Sequence, residues 1–231
     1  MKQVSRLVAL LSLGAAGGPG GLVAQVRGLP VRNAGIGTGI GIAADLGFPS
    51  AAAGNGVALG ATGQIGLGPL GVSASVATWD PGGSAERFSS AGVTGNLKIF
   101  GGPLIPISVT FQAGAAYSKE TFQGIEGSVT DKTWHVPAGL GVALTIPNPV
   151  FSIKPWVAPR LDLTRTTTAL VAQPAASSVT STDTHFGLSA GVDLGFLSGL
   201  SFRAMYDRIE AGHGLHPSIV SVGAGFGIRL P

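Results

Sequence analysis

The chain has 231 residues, of which 11% are charged and 45% hydrophobic, with 38 glycines, no cysteine and a formal net charge of +3. No segment after the N-terminus offers the eighteen or more consecutive apolar residues of a membrane helix, and helices tolerate so much glycine poorly. Helical spanning, disulfide frameworks and thiolate chemistry are thereby excluded. What remains is a soluble glycine-rich β protein or a closed membrane barrel, since both satisfy their backbone hydrogen bonds.

Residues 1–24 read as a secretory signal: Lys2 and Arg6 supply a positive start, residues 7–16 a short apolar run, and small residues lead to Ala24, after which cleavage is expected. Ten apolar residues are too few for an anchor that spans. Removal of Lys2 and Arg6 leaves 14 − 2 = 12 basic residues against 11 acidic ones, about +1, so the charge lends no support to nucleic-acid binding. Residues 25–231 show no linker-like shift in composition and are expected to form one domain.

After a short basic segment (26–33), residues 34–46 alternate Ile36, Ile40 and Ile42 against glycines as a first strand. Residues 55–67 and 70–78 follow around a tight Gly68-Pro69 turn, and 91–100 and 105–118 around Gly101-Gly102-Pro103. The most regular stretch is 133–146: Trp134, Val136, Ala138, Leu140, Val142, Leu144 and Ile146 on one face, small and polar residues on the other. Residues 119–131 read as a polar loop. Segment 152–165 carries Pro155 and Pro159, each of which removes a ladder donor, so a bulge or irregular pairing is expected there. Residues 166–182, rich in Thr, Ser and Ala, read as the longest and most mobile loop; 185–195, 200–207 and 218–230 complete ten strands.

The connections alternate in length, long after odd-numbered strands and short after even ones, the asymmetry of outer-membrane barrels. It places both termini on the periplasmic side. Phe48, Tyr117, Trp134, Phe186 and Tyr206 then fall at the outer ends of the strands and Phe100, Phe151 and Phe196 at the inner ends, forming two aromatic girdles. The expected fold is all-β, a transmembrane antiparallel up-and-down barrel of about ten strands, or eight if the first or seventh segment fails. An interior of that size is nearly filled by side chains, which argues against a wide porin channel.

From the signal through KPWVAPRLDL to the closing SVGAGFGIRL, the pattern resembles the opacity-type outer-membrane β-barrel proteins of Gram-negative bacteria. The resemblance covers nearly the whole chain and rests on periodicity. It implies residence in outer-membrane lipid after passage through the barrel-insertion machinery. One departure is the ending on Leu230-Pro231, where such proteins usually end on an aromatic residue; Phe226 is the candidate substitute.

The inward face collects Lys98, His135, Lys154, Arg160, Asp162, Asp193, Arg203, Asp207 and Arg229. Charges in a narrow lumen must pair or be hydrated, so a structural polar network is the first reading and a permeation or ligand site the second. A three-residue turn at 197–199 sets Asp193 across from Arg203 and predicts an ion pair there. His135, His185, His213 and His216 are expected toward the outer rim, with Asp183 and Asp207 near that level. Omptin proteases carry Asp and Asp-His pairs at such a rim, but no motif beyond residue type is shared, and no enzyme activity, metal or other cofactor is expected. GIGTGIGIAA lacks the following helix of a phosphate loop. The expected function is structural or surface interaction with an extracellular ligand through the outer loops, with small-solute passage beside it. A rim-active hydrolase and a soluble lipocalin-like binder are the alternatives.

Overall fold

The computed structural model describes residues 26–82, 87–102, 105–124, 127–172, 175–211 and 216–228. The expected signal 1–24, His213, Arg229 and the closing Leu230-Pro231 lie outside the described residues. Ten long antiparallel strands form the wall: β1 (Gly39–Pro49), β2 (Val57–Leu67), β3 (Leu70–Asp80), β4 (Phe88–Phe100), β5 (Ile107–Gly124), β6 (Gly127–Leu144), β7 (Phe151–Ala172), β8 (Ala175–Phe196), β9 (Leu200–Glu210) and β10 (Ser218–Ile228). Each pairs with its sequence neighbour, and β10 pairs with β1, so the sheet closes on itself and has no edge around the wall. Ile146–Pro147 adds a two-residue bridge to the start of β7.

The period of two in the sequence is what makes this wall. Along β1, Ile40, Ile42, Leu46 and Phe48 stand exposed on the outside while Asp45 is buried within. Val57, Leu59, Ile65 and Leu67 do the same on β2, and Leu140, Val142 and Leu144 on β6. An exposed apolar belt that continues around the whole barrel far exceeds the patches of soluble proteins and fits hydrocarbon.

Proline acts on the ladder locally. Pro137 and Pro159 each lack a donor, and rungs are missing beside them, between Ala113↔Ala138 and Ala116↔His135 and between Gly139↔Arg160 and Val142↔Val157. The partner numbers sum to the same value on either side of each gap, so the expected irregularity in β7 is an interrupted ladder without a slip. The register shift in the wall lies instead at the lower end of β4, between Lys98 and Phe100.

Two expected loops are strands. The polar stretches 119–131 and 166–182 are the outer parts of the β5–β6 and β7–β8 hairpins, whose last rungs are Gly124↔Gly127 and Ala172↔Ala175. The last β8–β9 rung is Phe186↔Glu210, so among the described residues 175–185 run on paired with β7 alone, about 35 Å of strand beyond that rung. Both faces are wet there, which erases the apolar alternation the sequence reading relied on. Threonine pairs across the strands replace it: Thr121 with Thr130 and Thr133 with Thr166 at 3.2 Å, Thr167 with Thr180 at 3.0 Å. The end carrying these hairpins is called the upper end below.

A further correction concerns residues 26–38. The wall begins at Gly39, not at residue 34, and the segment before it lies inside the barrel. Val26 and Leu29 pack with Ala58, Ala77, Trp79 and Phe88 at the upper end; Val31 with Ala53 and Ile219; Ala34 with Ala143, Trp156, Ala158 and Met205. Side chains of the wall alone do not fill this interior: a length of chain does. It descends, so Ile228 sits at the lower end as expected while Val26 sits at the opposite one.

Candidate functional site

The site is the lumen: an inward face of charges and the segment that threads it. Its lower half is organised by one rung running around five strands. Lys154 on β7 faces Asp193 on β8, which faces Arg203 on β9, which faces Gly223 on β10, which faces Asp45 on β1. Charges therefore alternate along the rung except at Gly223. Asp193 does stand opposite Arg203, but the expected ion pair between them is not formed. Arg203 reaches over the side-chain-free Gly223 to Asp45, its Nε donating to Oδ1 at 2.6 Å and Nη2 pairing with Oδ2. Asp193 is then free for Arg32 of the lumen segment, and it accepts a long hydrogen bond from Trp156 Nε1 at 3.4 Å. Lys154 donates to the Ala34 carbonyl.

The upper half holds a second network, almost wholly buried. Arg160 lies between two carboxylates: Nε is 3.0 Å from Asp162 Oδ1 and Nη2 is 2.8 Å from Asp207 Oδ1, while Nη1 donates to Ser189 Oγ. His135 Nε2 is 3.0 Å from Asp162 Oδ1, and the backbone N–H of Val31 donates to Asp207 Oδ2 at 2.8 Å. Arg160, Asp162, Asp207 and His135 each expose 4% or less, so none is open at the rim. Desolvating charge to this degree is tolerable only because every one of them is paired, and removing a single partner leaves an uncompensated charge.

Higher still, Arg27 pairs with Glu120, lies 4.7 Å over the Trp79 ring, and its backbone N–H donates to Ser90 Oγ at 2.9 Å. Lys98 is half-buried at the lower end of β4, outside these networks. His135, expected at the rim, is inside. Its Nδ1 has no hydrogen-bond partner among the described residues, and it lines a cavity of about 10 Å³ with Arg27, Ser90, Ser118 and Thr133, at the limit of what one water fills. His185 stands opposite Asp162 in the ladder and His216 pairs with Glu210 at the surface. Among the described residues no group of three or more His, Asp or Glu is placed to hold a metal ion.

The wall is cut to receive the segment. A Cβ at Gly47 would collide with the Gly28 carbonyl, one at Gly141 with that of Asn33, and one at Gly66 with that of Gly37, while at Gly71 it would enter Ile36. These glycines form a groove for backbone. Two polar cavities of about 50 and 130 Å³ remain beside the segment, bounded by Arg32, Asp45, Gln64, Asp193 and Arg203, room for only a few waters.

Sequence reasoning missed Arg27, Arg32, Asp45, Glu120 and Ser189. Asp45 was within reach, since it alternates with Leu46 and Ile42. Arg27 and Arg32 stood out only as a short basic run. Of the aromatic residues, Phe48 and Phe186 lie toward the upper end, Phe100, Phe151 and Phe196 at the lower, and Tyr206 four residues below the end of β9. Tyr117 packs on Trp134 at 5.2 Å and Phe151 on Phe196 at 6.3 Å.

No protein-family model matches the chain, and no curated protein matches it. Solved structures do. The outer-membrane protease OmpT from Escherichia coli is similar at TM-score 0.49 and 9% identity, over 83% of this chain and 94% of that one. The translocator domain of the autotransporter NalP from Neisseria meningitidis is similar at 0.49 and 15%, over 84% and 90%. The attachment invasion locus protein Ail of Yersinia pestis gives 0.42 and 11%, over 83% and 100%. The strand pairing by itself makes the chain a closed ten-stranded antiparallel β-barrel.

Proposed function

We propose that this protein resides in the outer membrane, reaches it by an N-terminal signal and the barrel-insertion machinery, and binds an extracellular macromolecule through the sheet that projects from its upper end. This is the surface-interaction role expected of the outer loops, and it takes the upper end as the cell surface. One observation carries it. Among the described residues, 175–185 of β8 have β7 on one side and no strand on the other, so a row of backbone N–H and C=O groups is left unpaired beyond the last β8–β9 rung. Such an edge is a template for pairing with another extended chain. The devices that blunt edges are sparse: the stretch AASSVTSTDTH contains no lysine and no proline, and its one acidic residue is Asp183.

The role proposed is non-catalytic. His135 and Asp162, the pair nearest in kind to a hydrolase site, lie under the lumen segment beside a cavity too small for a substrate. Solute passage is the weaker reading, because residues 26–38 occupy the route. The test is retention of the detergent-purified barrel on immobilised host matrix polypeptides and glycans, compared with a variant lacking residues 168–179. Retention that the shortened variant loses is expected. Equal retention of both, or of neither, would overturn the reading.

A further inference from the structure

The charges that face the lumen are sorted along its axis. In the lower half, among the described residues, four cations (Lys98, Lys154, Arg203 and Arg32 of the threaded segment) stand against two carboxylates, Asp45 and Asp193. In the upper half the balance is reversed: Arg27 and Arg160 face Glu120, Asp131, Asp162 and Asp207. The acids above also find neutral donors, the Val31 N–H and the Ser189 hydroxyl at Asp207 and the Thr168 hydroxyl at Asp131. The cations below find few acceptors. Beyond the two carboxylates, the described residues offer them the Ala34 carbonyl at Lys154, and Arg32 Nε is buried without a hydrogen-bond partner among those residues. An excess of positive charge in a narrow lumen is costly to leave uncompensated.

There is a place where the excess can be met. Arg32, Gln64 and Arg203 border both polar cavities, of about 50 and 130 Å³, and the larger one extends to Gly199 and Gly227 at the lower mouth. We propose that this larger cavity binds a chloride ion between the Arg32 and Arg203 guanidinium groups, with the Gln64 amide as a third donor. Asp193 borders the same cavity, but it is paired with Arg32 and stands opposite Lys154, so its charge is already compensated. The donors that remain favour a monatomic anion. Arg203 spends its Nε and Nη2 on Asp45, and Arg32 spends its Nη2 on Asp193, so neither keeps the Nε–Nη2 fork that carboxylates and phosphates engage in pairs. Arg32 belongs to the threaded segment, Gln64 to β2 and Arg203 to β9, so the bound ion joins segment to wall at the lower end.

Gln64→Glu tests the site with little change of shape, because the carboxylate it puts in the cavity supplies the negative charge that chloride would bring. The barrel is purified in detergent without halide. Its unfolding temperature is then followed by gel mobility as gluconate is replaced by chloride at constant ionic strength, which holds general screening fixed. The parent is expected to show a saturable rise of several degrees. Gln64→Glu is expected to show none, and to unfold in gluconate at or above the temperature of the parent in gluconate. A parent indifferent to chloride, or an equal rise in both proteins, overturns the proposal. So does a folded Gln64→Glu that unfolds below the parent in gluconate, since the cavity would then hold no uncompensated positive charge. Phosphate that stabilises the parent as well as chloride does would overturn the assignment to a halide. A direct measurement on the parent covers a variant that fails to fold: crystals grown in bromide are expected to show an anomalous peak bounded by Arg32, Gln64 and Arg203, and a cavity without that peak overturns the proposal.

Discussion

Arg203 and Asp45 are two strands apart and are joined over Gly223, the residue of β10 that faces them both in one rung. A Cβ at position 223 would enter the Asp45 carboxylate and crowd the Ala44 carbonyl. Strand glycine replaced by alanine ordinarily gains a few tenths of a kcal/mol or more from the unfolded chain. Here overpacking opposes that gain and costs about 1–3 kcal/mol. Gly223→Ala is therefore expected to lower the temperature at which the folded band disappears on a heat-modifiability gel, while Gly63→Ala, which meets nothing within 4 Å, leaves it unchanged or raises it. Equal behaviour of the two would show that the bridge is not confined to that path.

Arg160 gives a second, larger effect. It is buried between Asp162 and Asp207, and its loss would leave the two carboxylates without their cationic partner and Ser189 Oγ without the donor it accepts from. Breaking a buried pair from one side costs about 3–5 kcal/mol, whereas replacing all partners by groups of similar volume can be neutral. Arg160→Met should destabilise strongly in urea unfolding in detergent micelles, and the triple change Arg160→Met, Asp162→Asn, Asp207→Asn should recover much of the loss. A triple variant as weak as the single one would mean that the network contributes shape rather than charge compensation.

These networks also mark where the sequence stops being readable. Strand number, strand order and the 193↔203 register follow from a period of two fixed by lipid on one side and lumen on the other. The partners of Asp193 and Arg203 do not, because in a lumen side chains reach across a glycine or to a central segment as easily as to the facing strand. Residues 26–38 carry no period: their outer surface on every side is wall, and their polar groups are met by Asp207, Thr110, Lys154 and Asp193. The stretches 119–131 and 166–182 looked like loops for the opposite reason: the first turns polar residues such as Glu120 inward, and residues 176–182 of the second are strand with water on both faces.

The projecting hairpins should be separable from the barrel. Thr167↔Thr180 is a rung of β7 and β8 two residues above the Trp134↔Arg165 rung, and among the described residues nothing in either buried network comes from 168–179. Removal of 168–179 with a two-residue turn in their place is expected to leave heat-modifiable mobility and the unfolding midpoint within about 0.5 kcal/mol of the parent, as for surface changes elsewhere. A loss of several kcal/mol would show that the extension supports the wall, and would remove the reason to read it as a binding element.

The fit between the wall glycines and the lumen segment can be broken without touching a charge. Gly141→Ala sets a methyl group against the Asn33 carbonyl, and Gly47→Ala sets one against that of Gly28. Neither residue faces lipid, and in each case the neighbour that must move is backbone. Two outcomes are open to the protein: the strand bends, or the segment leaves its groove. The segment is held by one hydrogen bond or ion pair every few residues, whereas the wall is held by ladder on both sides at Gly47 and on the β5 side at Gly141, so the segment yields first. In planar bilayers the double variant should therefore open to a stable conductance that the parent, with its lumen occupied, lacks, while its gel mobility still reports a closed barrel. A double variant as silent as the parent, with the barrel intact, would show that the wall gives way and the segment is the more firmly held of the two.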